Sequence, residues 1–366
     1  MKALSNRRSD PATESSWRFR SDRPQPGLNQ LSWLQRRRID VAIGVTILCF
    51  SGCLPAAAAA SPALPLTTIT TVALPGTSSR FDYESLDPET NLLFLAHLAA
   101  SDVVVFNVKS NRVVATVPDV AGVHGVLAVP RLGRVFATAT GSNEVVVIDE
   151  RTLKIIRRMP GGTYPDGMAY DPADKKLYVS DEHGDTETVI DTVANKRVAT
   201  IPLGGDVGNT QYDPRSHRLY VNVQTRGELV ALDPSTDAIV ARYPLSGCSS
   251  NHGLYINEAH REAYIACEDN AKLVVFDLTR LRQTQTVGIG DGPDVLAFDR
   301  TRSLLYVAAE SGTVSMFSAT AARLRKVGEG FLGKNAHIVA VDERTHRVYF
   351  PILSEPDPTM LVMQPR

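Results

Sequence analysis

Seven positions in this sequence recur at one phase, and six of them carry groups able to bind a cation or move a proton. They are Asp82, His124, Asp166, Gly208, His252, Asp294 and His337. The exception, Gly208, is followed by Asn209. Imidazole is a common metal ligand and an acid–base group near neutral pH, and mixed imidazole–carboxylate sets suit divalent metals. If the fold gathers these positions, the chemistry within reach is binding of a divalent metal or a small polar ligand, or acid–base catalysis beside such a metal. His252 and His337 are the candidate catalytic residues and, with Glu268, the candidate metal ligands. Asp82, His124, Asp166, Asn209, Asp294 and Glu310 are the candidate ligand-binding residues. No HExxH pair, no Ser in a nucleophile elbow and no Gly-rich phosphate loop is present to suggest another chemistry.

Each of the seven positions lies twelve residues before an aromatic: Phe94, Phe136, Tyr178, Tyr220, Tyr264, Tyr306 and Tyr349, at steps of 42, 42, 42, 44, 42 and 43 residues. A period this regular marks a repeat architecture. In the third unit, apolar β-type runs at 167–171, 176–180, 187–191 and 197–201 are separated by turn residues such as Asp171-Pro172. Four strands per unit make a propeller blade, and seven units predict an all-β, seven-bladed β-propeller. The last unit stops after its third strand near Met363, and the β-rich segment 67–74 stands before the first unit. The N-terminal strand is therefore expected to complete blade seven and close the ring, removing a free edge.

The element that positions the Asp/His series is the innermost strand of each blade, at whose start each member falls. The second strand runs back, so its end reaches the same face. Those ends carry His97, Asp181, Glu182, Gln224, Glu268 and Glu310. One channel mouth is thus expected to be lined by carboxylates and imidazoles, as a horseshoe open at blade four. His217, His260 and His346, each beside an Arg, fall on the opposite face as plain surface histidines. A purely architectural role, with polar groups bonding neighbouring backbone, is the rival reading of the series.

The chain has 366 residues, a formal charge of −1 and a sequence pI of about 6.7. No basic footprint appears, which argues against a nucleic-acid partner. Residues 1–33 are polar and read as a disordered leader. Residues 34–60 read as a signal peptide, with Arg36-Arg37-Arg38, an apolar run over 41–54 and Ala58-Ala59-Ala60. The propeller then spans 61–366, with no membrane span in the mature chain, in a periplasmic or secreted protein expected to be a monomer. Phe50-Ser51-Gly52-Cys53 offers lipid anchoring at Cys53 as the alternative. Cys248 precedes a first strand and Cys267 ends the next, so antiparallel return brings them together. A disulfide, two buried thiols, or metal ligation with His252 are the possible outcomes.

Gly-Val-Leu-Ala-Val at 125–129, Tyr-Val-Ser-Asp at 178–181, Tyr-Val-Ala-Ala at 306–309 and the Asp-Pro turns resemble YVTN-type propeller repeats. Over about 67–366 the chain resembles the exported YncE-like propeller family. The resemblance implies the fold strongly and the activity weakly, because propellers host many unrelated functions. Three readings follow. The first is an exported propeller binding a divalent metal or small polar ligand at the mouth. The second is a metal-dependent lactonase- or lyase-like enzyme, which this chain resembles in architecture. The third is a scaffold for a periplasmic protein.

Overall fold

The repeat aromatics are buried completely, Tyr220 excepted at 3% exposure. Each stands in the middle of a second strand and packs on the blade that follows it. Tyr178 of blade three shares a cluster with Val207, Leu219 and Val230 of blade four, and Tyr220 does the same with Ile265, Val274 and Phe276 of blade five. The period of the aromatics is therefore the period of the blade-to-blade interface. A computed structural model describes residues 62–76, 80–320 and 323–366. The leader and signal peptide expected over 1–60, with Cys53, lie outside the described residues.

Seven four-stranded antiparallel sheets make up the described chain, with no α-helix and six short 3-10 turns. Blade three is typical, with strands Pro165–Asp171, Lys176–Asp181, Thr186–Asp191 and Lys196–Pro202 in spatial order. The first strand of every blade lies against the first strands on either side, and Glu84–Asp87 of blade one meets Ala340–Asp342 of blade seven. These inner strands close a ring around the central channel. Among the described residues no helix is long and apolar enough to cross a membrane.

Blade seven is assembled from both ends of the described chain, as expected. Leu66–Ala73 pairs antiparallel with Thr359–Pro365, from Leu66↔Pro365 to Ala73↔Thr359, and forms the outer edge beyond Arg347–Ile352 and Ala340–Asp342. Leu66 and Leu74 are buried, as are Met360 and Val362 on the partner strand.

In blades two to six the first strand carries one extra residue against the second. Pro165 faces Asp181, but Met168 faces Val179, so Asp166 and Gly167 share one partner position. The same shift occurs at Val123/Val126, Val207/Thr210, Asn251/Leu254 and Pro293/Leu296. A bulge of this kind bends the strand and re-aims a side chain. It falls on His124, Asp166, Gly208, His252 and Asp294, the positions singled out by the repeat.

On the opposite face, the Thr90 hydroxyl lies 2.8 Å from Asp87 Oδ2 and 3.1 Å from Glu150 Oε1, joining blades one and two. Burial, then the hydrogen bond and charge of Asp87, push the Glu150 carboxyl up to about 7. Between the ordinary carboxyl range and pH 7 the folded chain holds a proton that the unfolded chain has released. The contribution of Glu150 is therefore present at low pH and is lost as pH rises through about 7. Glu150→Gln cannot ionise. Denaturant curves from pH 5 to 8 should show the variant gaining stability relative to wild type as pH rises; parallel pH profiles would refute this.

Candidate metal centre

The bulges and the starts of the inner strands bring the Asp/His series together at one mouth. Gly253 shows how closely: a Cβ there would lie 1.9 Å from the Asp294 carbonyl oxygen of the next blade. Gly208 occupies the series position in blade four for the same reason, since a Cβ would lie 2.8 Å from the His252 carbonyl oxygen. The horseshoe is not open at that point. Asn209 fills it, its Oδ1 accepting from the Tyr83 hydroxyl at 2.7 Å.

His337 is 1% exposed. Its Nδ1 lies 3.0 Å from the Asn335 carbonyl oxygen, and the Asn335 amide, 2.7 Å from the same nitrogen, also donates to Glu310 Oε2 at 2.7 Å. The Asn335 carbonyl accepts from a protonated Nδ1 and the Asn335 amide donates to an unprotonated one, so the two contacts tether Nδ1 without fixing the tautomer. Nε2 has no hydrogen-bond partner. It faces Asp82 Oδ1 and Asp294 Oδ2 at 3.9 Å each and Glu310 Oε1 at 3.8 Å. Ligand atoms of Asp82, Asp294 and His337 all lie within 4.8 Å of one another, and all three residues are buried. A histidine tied through one nitrogen to a backbone carbonyl, with the other facing carboxylates, is the usual arrangement of a metal-binding imidazole.

His252 has a different environment. Its Nε2 lies 3.3 Å from Asp294 Oδ1, 3.0 Å from the Tyr83 hydroxyl and 4.0 Å from Asp166 Oδ2. Burial works against a charged ring, but the bond to Asp294 and the charges of Asp294, Asp166 and Glu182 hold its pKa well above the ordinary value. Asp294 is correspondingly lowered: burial opposes its charge, and His252, His337 and Arg80 outweigh burial. Asp82 is pushed well up by burial and by the charge of Asp166. Asp166 is raised to about 6, by burial first and with the Asp294 charge adding to it. His124 is lowered by burial; its Nδ1 donates to the Gly122 carbonyl at 2.9 Å and its Nε2 lies 3.0 Å from the Tyr164 hydroxyl.

Several expectations need correction. Glu268, expected to ligate a metal with His252 and His337, is not in the group whose ligand atoms converge. It sits in a 3-10 turn, Glu268–Asn270, after its strand. His252 is not in that group either, because its ring is engaged with Asp294 and Tyr83. His97 stacks on Phe81 at 4.2 Å, and its Nδ1 meets Asp102 at 3.0 Å. Asp181 is taken up by the Gly162 amide and the Thr186 and Thr188 hydroxyls. On the far face, His346 Nδ1 meets the buried Asp299 at 2.7 Å and His217 Nε2 meets Asp174 at 3.3 Å, so these histidines clasp neighbouring turns instead of standing free. Asp171, Asp174 and His217 form a second, more exposed convergent group there.

Two residues at the mouth escape the spacing argument. Tyr83 reaches across the channel to Asn209, His252 and Asp166, the last at 3.3 Å. Its one visible signal is that it stands where units two, three and five carry Gly125, Gly167 and Gly253. Arg80 pairs with Glu310 at 2.6 Å and lies 3.9 Å from Asp82, and nothing in the repeat marks it. Below Tyr83 the channel holds a cavity of about 150 Å³ lined by Glu84, Met168, Asn209, Gln211 and Leu254 among others.

A disulfide joins Cys248 to Cys267, with Cα atoms 5.2 Å apart, beside the segment Asn251-His252. The free-thiol and metal-ligand alternatives are thereby removed.

No protein-family model matches the sequence, and no curated protein matches it significantly. Solved structures resemble it in shape. A chain described as Kuenenia stuttgartiensis hydrazine synthase is 16% identical with a TM-score of 0.69, over 80% of this chain and 97% of that one. The WD40 repeats of RRP9 are 11% identical with a TM-score of 0.69, over 83% and 99%. A chain of the mitotic checkpoint complex is 13% identical with a TM-score of 0.70, over 88% and 99%. Identities this low speak to architecture and not to activity. The chain is a seven-bladed β-propeller, its ring closed by the strand Leu66–Ala73.

Proposed function

We propose that this is an exported, YVTN-like propeller that binds a divalent metal ion at one mouth of its channel, through His337, Asp82 and Asp294 with Glu310 beside them. The observation that carries the reading is the His337 imidazole: buried, tethered at Nδ1, and turning an unpartnered Nε2 toward three carboxylates. Arg80 and His252 offset part of the buried carboxylate charge, and a divalent ion would offset the rest. One imidazole with two or three carboxylates suits a first-row divalent ion such as Mn²⁺ or Zn²⁺. The disulfide is consistent with an oxidising, periplasmic or secreted setting. A small polar ligand would then bind by coordinating the ion.

One observation favours a metal-dependent enzyme of lactonase or lyase type as the second reading. Asp166, raised to about 6, lies next to Tyr83 and His252 and close to the proposed ion, a placement suited to acid–base work near neutral pH. In that case Asp166 is the base, and His252, held in its charged form, is the acid.

Calorimetric titration of the chelator-treated mature protein with Mn²⁺ tests the primary reading. His337→Ala should weaken binding by at least about 10–100-fold, the range typical of losing even an outer partner of a ligand. His217→Ala, on the far face, should leave the affinity unchanged. Undiminished binding by His337→Ala, or loss of binding with His217→Ala instead, would overturn the assignment.

A further inference from the structure

Arg80 stands at the edge of the mouth with its side chain 42% exposed, and its Nη2 lies 2.6 Å from Glu310 Oε1 and 3.9 Å from Asp82 Oδ2. The Glu310 oxygen that it holds is the one facing His337 Nε2 at 3.8 Å. The other oxygen, Oε2, is taken by the Asn335 amide at 2.7 Å. The Glu310 oxygen on the His337 side therefore already has a cation. Asp82 is divided in the same way, with Oδ1 toward His337 Nε2 at 3.9 Å and Oδ2 toward Arg80. The guanidinium thus sits against two of the carboxylates that an ion beside His337 would use. Its hold is one-sided. Nη2 makes both contacts, and Nε is buried without a hydrogen-bond partner. The pair therefore lacks the two-pronged geometry of the strongest arginine–carboxylate pairs.

We propose that Arg80 is the exchangeable cation of the mouth: a divalent ion entering beside His337 takes Glu310 Oε1 from it, the guanidinium turns outward, and Arg80 thereby sets how tightly the ion is held. This rests on the single-ion reading above and adds what limits its affinity. A guanidinium keeps its charge at any working pH, so the competition is not relieved by deprotonation. Guanidinium and ion also repel each other once they share the same carboxylates, and the exposed side of Arg80 gives it a way out. Without an ion, Arg80 keeps Asp82 and Glu310 together at the mouth. With one, Glu310 becomes a further ligand beside His337, Asp82 and Asp294. Ligands that already hold a cation bind a metal more weakly than the same ligands left empty, so the mouth exchanges its ion readily. The opposite role is that Arg80 merely orients Glu310 for the ion, in which case losing it weakens binding. The two roles differ in sign.

Calorimetric titration of the chelator-treated mature protein with Mn²⁺ separates them. Arg80→Ala and Arg80→Gln should each bind Mn²⁺ at least about tenfold more tightly than wild type, because a full positive charge beside the ion is gone. Guanidinium chloride at low millimolar concentration should weaken Mn²⁺ binding by Arg80→Ala by refilling the vacated place, and leave wild type nearly unchanged; sodium chloride at the same concentration controls for screening. In wild type, Mn²⁺ should speed the labelling of Arg80 by phenylglyoxal, read by peptide mapping. Weaker or unchanged binding by Arg80→Ala, with wild-type binding intact, overturns the proposal and leaves the single-ion reading standing. No binding by wild type or by either variant overturns both. If neither variant folds, the labelling decides: an Arg80 labelled no faster with Mn²⁺ is against displacement.

Discussion

A chain beginning at Gly76 should lose most of its stability. Thermal unfolding is expected tens of degrees below that of a chain beginning at Ser61, or the shortened chain should aggregate. Leu66–Ala73 is the outer strand of blade seven and pairs along its length with Thr359–Pro365. Removing it takes away the burial of Leu66 and Leu74 and uncovers Met360 and Val362. Each fully buried aliphatic side chain contributes about 1.5–3 kcal/mol, and each lost backbone bond about 1 kcal/mol. The sum is on the order of the whole stability of a typical domain, about 5–15 kcal/mol. The segment also ties down its neighbour: the Glu329 amide of blade six donates to the Pro62 carbonyl at 2.9 Å, and the Arg366 amide to the Pro65 carbonyl at 3.0 Å. Circular dichroism melts of the two chains measure the effect. A synthetic peptide of residues 61–75 added in trans should recover part of the loss by re-forming the strand. If the chain from Gly76 melts within about two degrees of the longer one, closure by this strand contributes nothing of consequence.

The double substitution Cys248→Ser/Cys267→Ser should cost about 3 kcal/mol, from the loop-closure entropy of a sequence separation of 19 residues. The effect should be local as well as global. The bridge spans the connection that leads into Asn251–Asn257, the inner strand carrying His252. Cys267 is fully buried and packs with Leu254 and Ile265. Losing the bridge frees the segment 248–250, which begins the approach of blade five to the mouth. Denaturant midpoints of the double variant and of the reduced wild type should fall together. Hydrogen exchange should rise first at 246–253, ahead of the other blades. Equal midpoints for oxidised, reduced and substituted protein would show that the bridge does not constrain the fold.

The number of blades was legible in the sequence because the repeat aromatic must fill the same inter-blade space in every unit. Its spacing is thus a direct record of blade length. Ring closure was legible for a related reason. A unit missing its outer strand at one end of the chain and a lone β-rich segment at the other have one mutually satisfying arrangement, since an open propeller leaves an edge unpaired. The Cys248–Cys267 pair followed from antiparallel return, which is a property of the backbone alone. The phase of the Asp/His series was legible too, but its meaning was not. In blades two to six the aim of those residues depends on one extra residue in the first strand, and a bulge has no sequence mark independent of its pairing partner; Asp82 and His337 lie just ahead of unbulged strands.

Tertiary structure alone decided which members of the series meet. Asp82 and Asp294 are far apart in the chain and become neighbours of His337 because blades one and six flank blade seven in the closed ring. His252 and His337 look equivalent in the repeat, yet the Nε2 of His252 is engaged with Asp294 and Tyr83 while the Nε2 of His337 has no hydrogen-bond partner. That difference comes from Asn335 and Tyr83, residues outside the repeated pattern. Glu268 shares its phase with Glu310, but Arg80 and Asn335 hold only Glu310 against His337. The repeat dictates backbone positions, which are set by local hydrogen bonding and burial. The chemistry at those positions is set by side chains arriving from other blades, and that information exists only once the ring has closed.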